Sequence, residues 1–343
     1  KTNCNFVDLV FLVCSLIPAN EVLMSKKRLI IIGSGMTGIT LASNLDPEKF
    51  EIQILDKGRG VGGRMASKTI FVDNKEFRYD YGAQFFTVRS KEFGDQVSEW
   101  EMKKLVKVWC NGFENNDGHN RYMSTNGMRD LLGKISEGLN IQQNQKVTKI
   151  EYFDDYWRLG TSRANFESEL LVITTPLPQC VELLKTIPTF DHHDSLDEIK
   201  KIEYKKCIAL IMTMGSESNF DSPGAYQMMD EDWDFVSDNK IKGISPNTCL
   251  TGHASNALSE RLWNDDEAKI KDQLVDKIKN RFNIKPEHSF LHKWLYAQSK
   301  KNLEGYFKKM NSYNDSLFIA GEVFGRSKVE GAYLSGYHLA KYM

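Results

Sequence analysis

An α/β fold organised around a parallel sheet is predicted by three features of this sequence. A short apolar run, Leu29–Ile32, leads straight into Gly33-x-Gly35-x-x-Gly38. A second apolar run, residues 50–56, ends in an acid, Asp56. Near the C-terminus, Leu317–Ala320 repeats the apolar pattern, and a glycine-containing helix follows from Val329. Short continuous apolar runs mark strands buried on both faces, as in a sheet covered by helices. The three together predict a Rossmann-like dinucleotide-binding domain.

The first strand, turn and helix carry the most specific pattern. Gly33 allows a sharp turn, Gly35 lets the backbone approach a pyrophosphate, and Gly38 lets the helix pack closely on the strand. Ser34, Met36 and Thr37 fill out that loop, and the helix start offers unpaired N–H groups and a positive dipole end to phosphates. Asp56 follows Gly38 at close to the spacing of about 20 residues for an acid that accepts hydrogen bonds from an adenosine ribose. An acid there also repels a 2′-phosphate. This run by itself fits FAD and NAD equally, because both contain adenosine diphosphate.

The next stretch, "DKGRGVGGRMAS" at residues 56–67, is a second glycine-rich run directly after the acid. A plain NAD dehydrogenase has no need of it; a longer dinucleotide has. Gly62-Gly63 permit close backbone approach, and Arg64 can offset diphosphate charge or hold the loop against the cofactor. These residues resemble the FAD-dependent amine oxidase superfamily, whose members follow the ribose acid with a G-G-R loop. "DYGAQFFTVRS" (80–90), "HKWLYAQSKKN" (292–302) and "LFIAGEVFGRSKVEGAYLSG" (317–336) resemble its renalase-like branch.

That resemblance implies an amine-oxidase-type architecture, with a Rossmann-like FAD-binding domain and an interleaved α+β substrate domain. Residues 24–90, 124–185 and 313–343 would form the first, and 91–123 and 186–312 the second. It implies FAD contacts from the first loop and Asp56, then from Lys57, Arg59, Gly62, Gly63, Arg64 and Met65. Arg59 stands one residue further from Gly62 than in the family's R-x-G-G-R. Val147 would meet the adenine through its backbone. Gln84 and Phe85 would reach toward the flavin ring above Gly82-Ala83, although a core β-segment explains the same residues. Gly321, Glu322, Glu330, Gly331 and Ala332 would also bind the cofactor, with the C-terminal helix pointing its N-terminus at the flavin's pyrimidine end. Glu322 stands where the family more often has aspartate. The C-terminal motif holds no cysteine to attach flavin covalently, so the FAD should be dissociable.

The remaining elements read as scaffold. "STNGMRDLLGKI" (124–135) is predicted as a helix with Ser124 or Thr125 as N-cap. Residues 141–161 suggest strands, and Leu170–Thr174 is a buried strand stopped by Pro176 and Pro178. Residues 204–214 and 248–255 are strand candidates. Residues 264–282 read as an amphipathic helix, with Ile270, Leu274, Val275, Ile278 and Phe282 on one face and acids at its start. Residues 1–23 are expected to lie outside the fold, with Met24 as the start; a weak membrane or export signal is the other reading of "FVDLVFLVCSLIP".

Composition narrows the function classes. The 343 residues carry 45 basic and 46 acidic side chains, a net charge of −1. No single-sign field steers such a chain to nucleic acid or an acidic membrane, and neither partner is expected. Cys4, Cys14, Cys110, Cys180, Cys207 and Cys249 form no C-x-x-C pair, and the seven histidines give no H-E-x-x-H, so no metal is expected. His192-His193 sits in a charged segment and reads as exposed. Scattered cysteines point to a reduced, cytoplasmic location.

The resemblance to the renalase-like branch implies an oxidase of a small hydride donor, namely dihydronicotinamide isomers reduced at the wrong ring carbon. These would return to NAD(P)⁺ with oxygen as acceptor, and no obligate base is needed. Amine oxidation is the alternative, with Lys206 or Lys293 as candidate for a flavin-facing lysine. A flavin- or partner-binding protein without turnover is a third reading. Gln84, Phe85, His253, Trp294 and Tyr296 are the candidate pocket residues, each with core packing as its competing explanation.

Overall fold

The computed structural model describes residues 25–113, 117–188, 196–228, 230–325 and 328–343. The expected extension at 1–23 and His192-His193 lie outside these residues. The chain opens with β1 (Lys27–Ile32), α1 (Met36–Asn44) and β2 (Phe50–Leu55), then a hairpin of β3 (Ser67–Val72) and β4 (Lys75–Asp80). Next come α2 (Lys91–Met102), β5 (Val106–Cys110), β6 (Arg121–Ser124) and α3 (Met128–Ile135). Four strands follow: β7 (Ile141–Gln142), β8 (Val147–Phe153), β9 (Tyr156–Thr161) and β10 (Asn165–Ser168). Then come β11 (Leu170–Ile173), α4 (Leu177–Leu184), α5 (Leu196–Lys200) and β12 (Tyr204–Thr213). The next elements are β13 (Ala225–Tyr226), β14 (Trp233–Asp238), β15 (Cys249–Ala254), α6 (Asn256–Leu262) and α7 (Glu267–Phe282). The chain closes with β16 (His288–Ser299), β17 (Phe307–Met310), β18 (Leu317–Ala320) and α8 (Lys328–Tyr342).

The apolar runs build a six-stranded sheet in the order β17-β18-β11-β1-β2-β7. All its pairings are parallel except β17 with β18. Side chains alternate across its two faces. Leu29, Ile31, Ile54, Val172 and Phe318 pack with Leu41 of α1 and Leu339 of α8. Ile30, Ile32, Leu55, Leu171 and Ile173 pack on the other face with Trp157 of β9 and Leu177 of α4. Both faces are therefore dry, which is why these strands read as continuous apolar runs.

A second sheet, antiparallel and five-stranded, runs β13-β14-β15-β12-β16. Ile208, Leu210 and Met212 of β12 face Ile270, Leu274 and Ile278 of α7. Ile211, on the opposite face, packs with Phe77 and Tyr79 of β4. The β3–β4 hairpin thus joins the two sheets.

Three boundaries depart from expectation. Strand β17, expected in the substrate part, pairs with β18 in the first sheet. Its Phe307 packs against Phe318, and its Met310 is fully buried. Helix α3 starts at Met128, with Gly127 at φ +101° as N-cap and no cap from Ser124 or Thr125. Asp80 Oδ1 accepts from Met128 N at 2.8 Å, and Ser67 Oγ accepts from Arg129 N at 2.9 Å. The cap is supplied from the β3–β4 hairpin, which local sequence does not reveal. Helix α7 begins at Glu267, because Asp266 takes the cap and accepts from Ala268 N and Lys269 N.

Candidate cofactor and active site

The two glycine-rich loops meet. Gly62 N donates to Ser34 O at 3.0 Å. A Cβ on Gly63, at φ +53°, would lie 3.5 Å from Gly35 Cα. A Cβ on Gly38 would stand 2.1 Å from Gly33 O, so only glycine lets α1 sit this close to the turn. Gly35 itself has nothing within 4 Å of its added Cβ, and as N-cap of α1 it supplies no side-chain bond. The space on the Cβ side of Gly35, at the start of α1, is therefore open, and a helix start with free N–H groups suits a phosphate group. Asp56 sits at the same junction. Its Oδ2 accepts from Ser34 N and Ser34 Oγ, both at 2.6 Å, and its Oδ1 from Gly58 N at 2.6 Å.

The other cofactor candidates divide. Met36 and Met65 are buried in one core cluster with Val329 and Tyr333. Lys57 and Arg59 are exposed, and Lys57 Nζ donates to Gln179 Oε1 at 3.3 Å. Val147 is buried at the head of β8. Arg64 is engaged by protein: its Nη1 donates to Glu322 Oε1 at 2.8 Å, and Nη2 donates to Glu322 Oε2. Nη1 also lies 3.5 Å from Tyr296 O. Burial works against the guanidinium charge, but Glu322 more than offsets it, so the Arg64 pKa moves up. The pair is bidentate and joins the second loop to the residue pair after β18.

Helix α8 closes onto α1. Thr37 Oγ1 donates to Ala332 O at 2.9 Å, and Gly321 N donates to Ser335 Oγ at 2.8 Å. Gly331 is buried in its first turns. Glu330 is committed to the start of α2. Its Oε1 accepts from Arg89 N at 3.0 Å, Ser90 N at 2.6 Å and Ser90 Oγ at 2.7 Å.

The segment after β4 lines the other side of the second loop. Ala83 N donates to Arg64 O at 2.9 Å, and a Cβ on Gly82 would stand 2.0 Å from the same oxygen. Gln84, expected either to reach toward the flavin ring or to belong to a core segment, is held within the protein. Its Nε2 donates to Asp80 O at 2.8 Å and Gly82 O at 3.2 Å, and its Oε1 accepts from Ser237 Oγ at 3.0 Å. A buried amide takes every partner it can reach, and here the turn itself provides them. Phe85 joins an aromatic cluster with Trp109, Phe113 and Phe235, with Arg121 above its ring.

Three pocket candidates surround this segment. Tyr81 O accepts from Trp294 Nε1 at 2.8 Å and lies 3.2 Å from His253 Nε2. Burial pushes the His253 pKa down to about 4, so the ring is neutral at ordinary pH. Tyr81 stacks on Trp294 with centroids 5.6 Å apart, and His292 meets both rings edge-on. Tyr296 packs edge-on against Tyr204, next to Arg64. Strand period two places His292 and Trp294 on one face of β16, and the register slips between Trp294 and Gln298, around Tyr296. Lys293 is on the other face, where both it and Lys206 lie over the Trp263 ring.

Sequence reasoning missed Tyr81, His292 and one buried ion pair. Asp80 and Lys242 have fully buried side chains 2.7 Å apart. Lys242 Nζ also donates to Gln84 O at 2.7 Å and stands over the Trp109 ring. It thus clamps both ends of the Asp80–Gln84 turn. His292 was within reach of the alternation His-x-Trp-x-Tyr; the Asp80–Lys242 pair leaves no local signal. Among the described residues, no His, Cys, Asp and Glu cluster could hold a metal, and no helix is long and apolar enough to cross a membrane.

Residues 31–99 match the NAD(P)-binding Rossmann-like domain, and residues 94–343 match the family described as flavin containing amine oxidoreductase. Mouse renalase is 21% identical over 335 residues, covering 92% of this chain and 98% of its own. A 4,4′-diaponeurosporene oxygenase from Staphylococcus haemolyticus is 22% identical over 227 residues, 60% of this chain and 42% of its own. Among solved structures, a putative protoporphyrinogen oxidase from Exiguobacterium superposes with a TM-score of 0.70 at 12% identity, over 93% of this chain and 99% of its own. Putrescine oxidase bound to putrescine superposes with a TM-score of 0.64 at 10% identity, over 92% and 98%.

Proposed function

Since this chain belongs to the flavin containing amine oxidoreductase family, we propose that it is an oxidase that holds FAD non-covalently and oxidises a small hydride donor. The donor class is an isomeric dihydronicotinamide, returned to NAD(P)⁺, and molecular oxygen takes the electrons to give hydrogen peroxide. Bound FAD would supply the hydride acceptor. The observation that carries the reading is the contact between the two glycine loops, with Gly35 facing open space and Asp56 at their junction. A cofactor with one diphosphate and a long body accounts for both loops.

The protein's part is binding and placement. The start of α1 and the second loop hold the diphosphate, Asp56 the adenosine ribose, and Val147 the adenine edge. Glu322 keeps Arg64 in place from the returning C-terminal segment. Tyr81, Trp294 and His292 form an aromatic wall fit for a planar ring. His253 is neutral, and its Nε2 faces Tyr81 O, so it holds the turn.

A dihydronicotinamide donor needs no base. Lys206 and Lys293, the candidates for a lysine serving amine oxidation, are turned to Trp263 on the far face of the sheet. The test starts from the absorbance spectrum of the purified protein and the flavin released by heat. Anaerobic mixing with dihydronicotinamide isomers and with amines follows. Bleaching by the isomers alone is the expected outcome. Bleaching by amines alone would replace the donor class, and a colourless protein that takes up no FAD would refute the cofactor.

A further inference from the structure

We propose that Arg129, a residue outside both glycine motifs, is a further cofactor contact whose guanidinium meets the diphosphate of FAD. This rests on the FAD reading above. Arg129 is the second residue of α3, and its backbone N–H is held by Ser67 Oγ. Its side chain lies along the second glycine loop. A Cβ on Gly62 would stand 3.4 Å from Arg129 Cγ and 3.7 Å from Nε, and one on Gly60 would stand 3.9 Å from Nη1.

The Nε is buried and makes no hydrogen bond. A buried N–H of a charged group without an acceptor is costly. Arg64, on the loop that Arg129 lies along, has Glu322 as its counter-ion. No carboxylate among the described residues pairs with Arg129. The partner its geometry calls for is an anion from outside the chain.

The place of that anion follows from the loop. Gly62, which Arg129 touches, is the residue whose N–H bonds Ser34 O, and its neighbour Gly63 meets Gly35. Arg129 therefore stands one residue from the Gly63–Gly35 contact at the start of α1, where the Cβ side of Gly35 is open. A diphosphate presents several anionic oxygens to that spot, and a planar guanidinium fork suits them. A Cβ at Gly62 would reach van der Waals contact with the Arg129 stem and would stand 3.0 Å from Met65 O.

The experiment compares Arg129→Gln and Arg129→Lys with the wild type. Each apoprotein is titrated with FAD by flavin fluorescence, and ADP is added as competitor. We expect the FAD Kd to rise about tenfold or more in Arg129→Gln, as for loss of a charge-assisted bond. Arg129→Lys should recover part of it. ADP should weaken by the same factor as FAD, and the thermal midpoint of the apoprotein should stay unchanged, because Nε has no partner to lose.

Wild-type FAD affinity in Arg129→Gln would overturn the proposal. So would weaker FAD with unchanged ADP, which would move the contact away from the diphosphate. So would a fall in apoprotein midpoint that tracks the affinity loss and is restored with it in Arg129→Lys, the mark of a purely structural role. A wild-type chain that takes up no FAD would overturn the cofactor reading as well.

Discussion

At the scale of single residues, the strongest energies attach to Asp80 and Lys242. Removing one member of a fully buried pair leaves the other as an unpaired charge, at about 3–5 kcal/mol. Lys242→Met should therefore destabilise by that order in urea unfolding. The double variant with Asp80→Asn should recover part of the loss, and a single variant as stable as wild type would contradict the pairing. His253 gives a pH signature. Its pKa is depressed to about 4 in the folded state, against about 6.5 in the unfolded chain. The unfolded chain takes the proton first, so acid favours unfolding, and stability falls as pH drops from about 6.5 towards 4. His253→Phe should flatten that part of the stability–pH curve. Residue identity in the first loop was legible because G-x-G-x-x-G and the following acid are read from spacing. Gln84 was not, because its fate depends on Ser237, which lies far along the chain.

At the scale of elements, α1 and α8 cross at close range. A Cβ on Gly336 would stand 2.4 Å from Thr37 O and 3.0 Å from Leu41 N, both backbone atoms of α1. Gly336→Ala should destabilise by about 1–3 kcal/mol, the usual cost of overpacking, and should weaken flavin retention by moving α8. Gly133→Ala is the control: it lies inside α3 with nothing within 4 Å, and should stabilise by about 0.4–1 kcal/mol. Thermal midpoints of the two variants moving in the same direction would refute the packing account. Strands β1, β2, β11 and β18 were legible as apolar runs because both their faces are buried. The start of α3 was not, since its cap comes from Ser67 and Asp80 across the hairpin.

At the scale of the whole molecule, strand β18 lies between β11 and β17, and the Glu322 that holds Arg64 follows it by two residues. Deleting residues 317–343 removes β18, Glu322 and α8 together. The purified product should carry no flavin, judged by its visible spectrum, and a truncated chain that stays yellow would refute this. The interleaving of the chain was suggested by the resemblance of both ends to one family. The membership of β17 was not, because its pairing with β18 becomes visible only once the sheet is assembled.

The position of β18 also sets an order of events during synthesis. A ribosome makes β1, β2 and β11 well before β18, the strand that pairs with the free edge of β11. Until then β11 offers an unpaired edge, which a nascent chain must keep from other chains. The antiparallel sheet, encoded wholly in between, has its strands in hand before that moment. The parallel sheet, begun first, is thus closed only after the antiparallel one has been made.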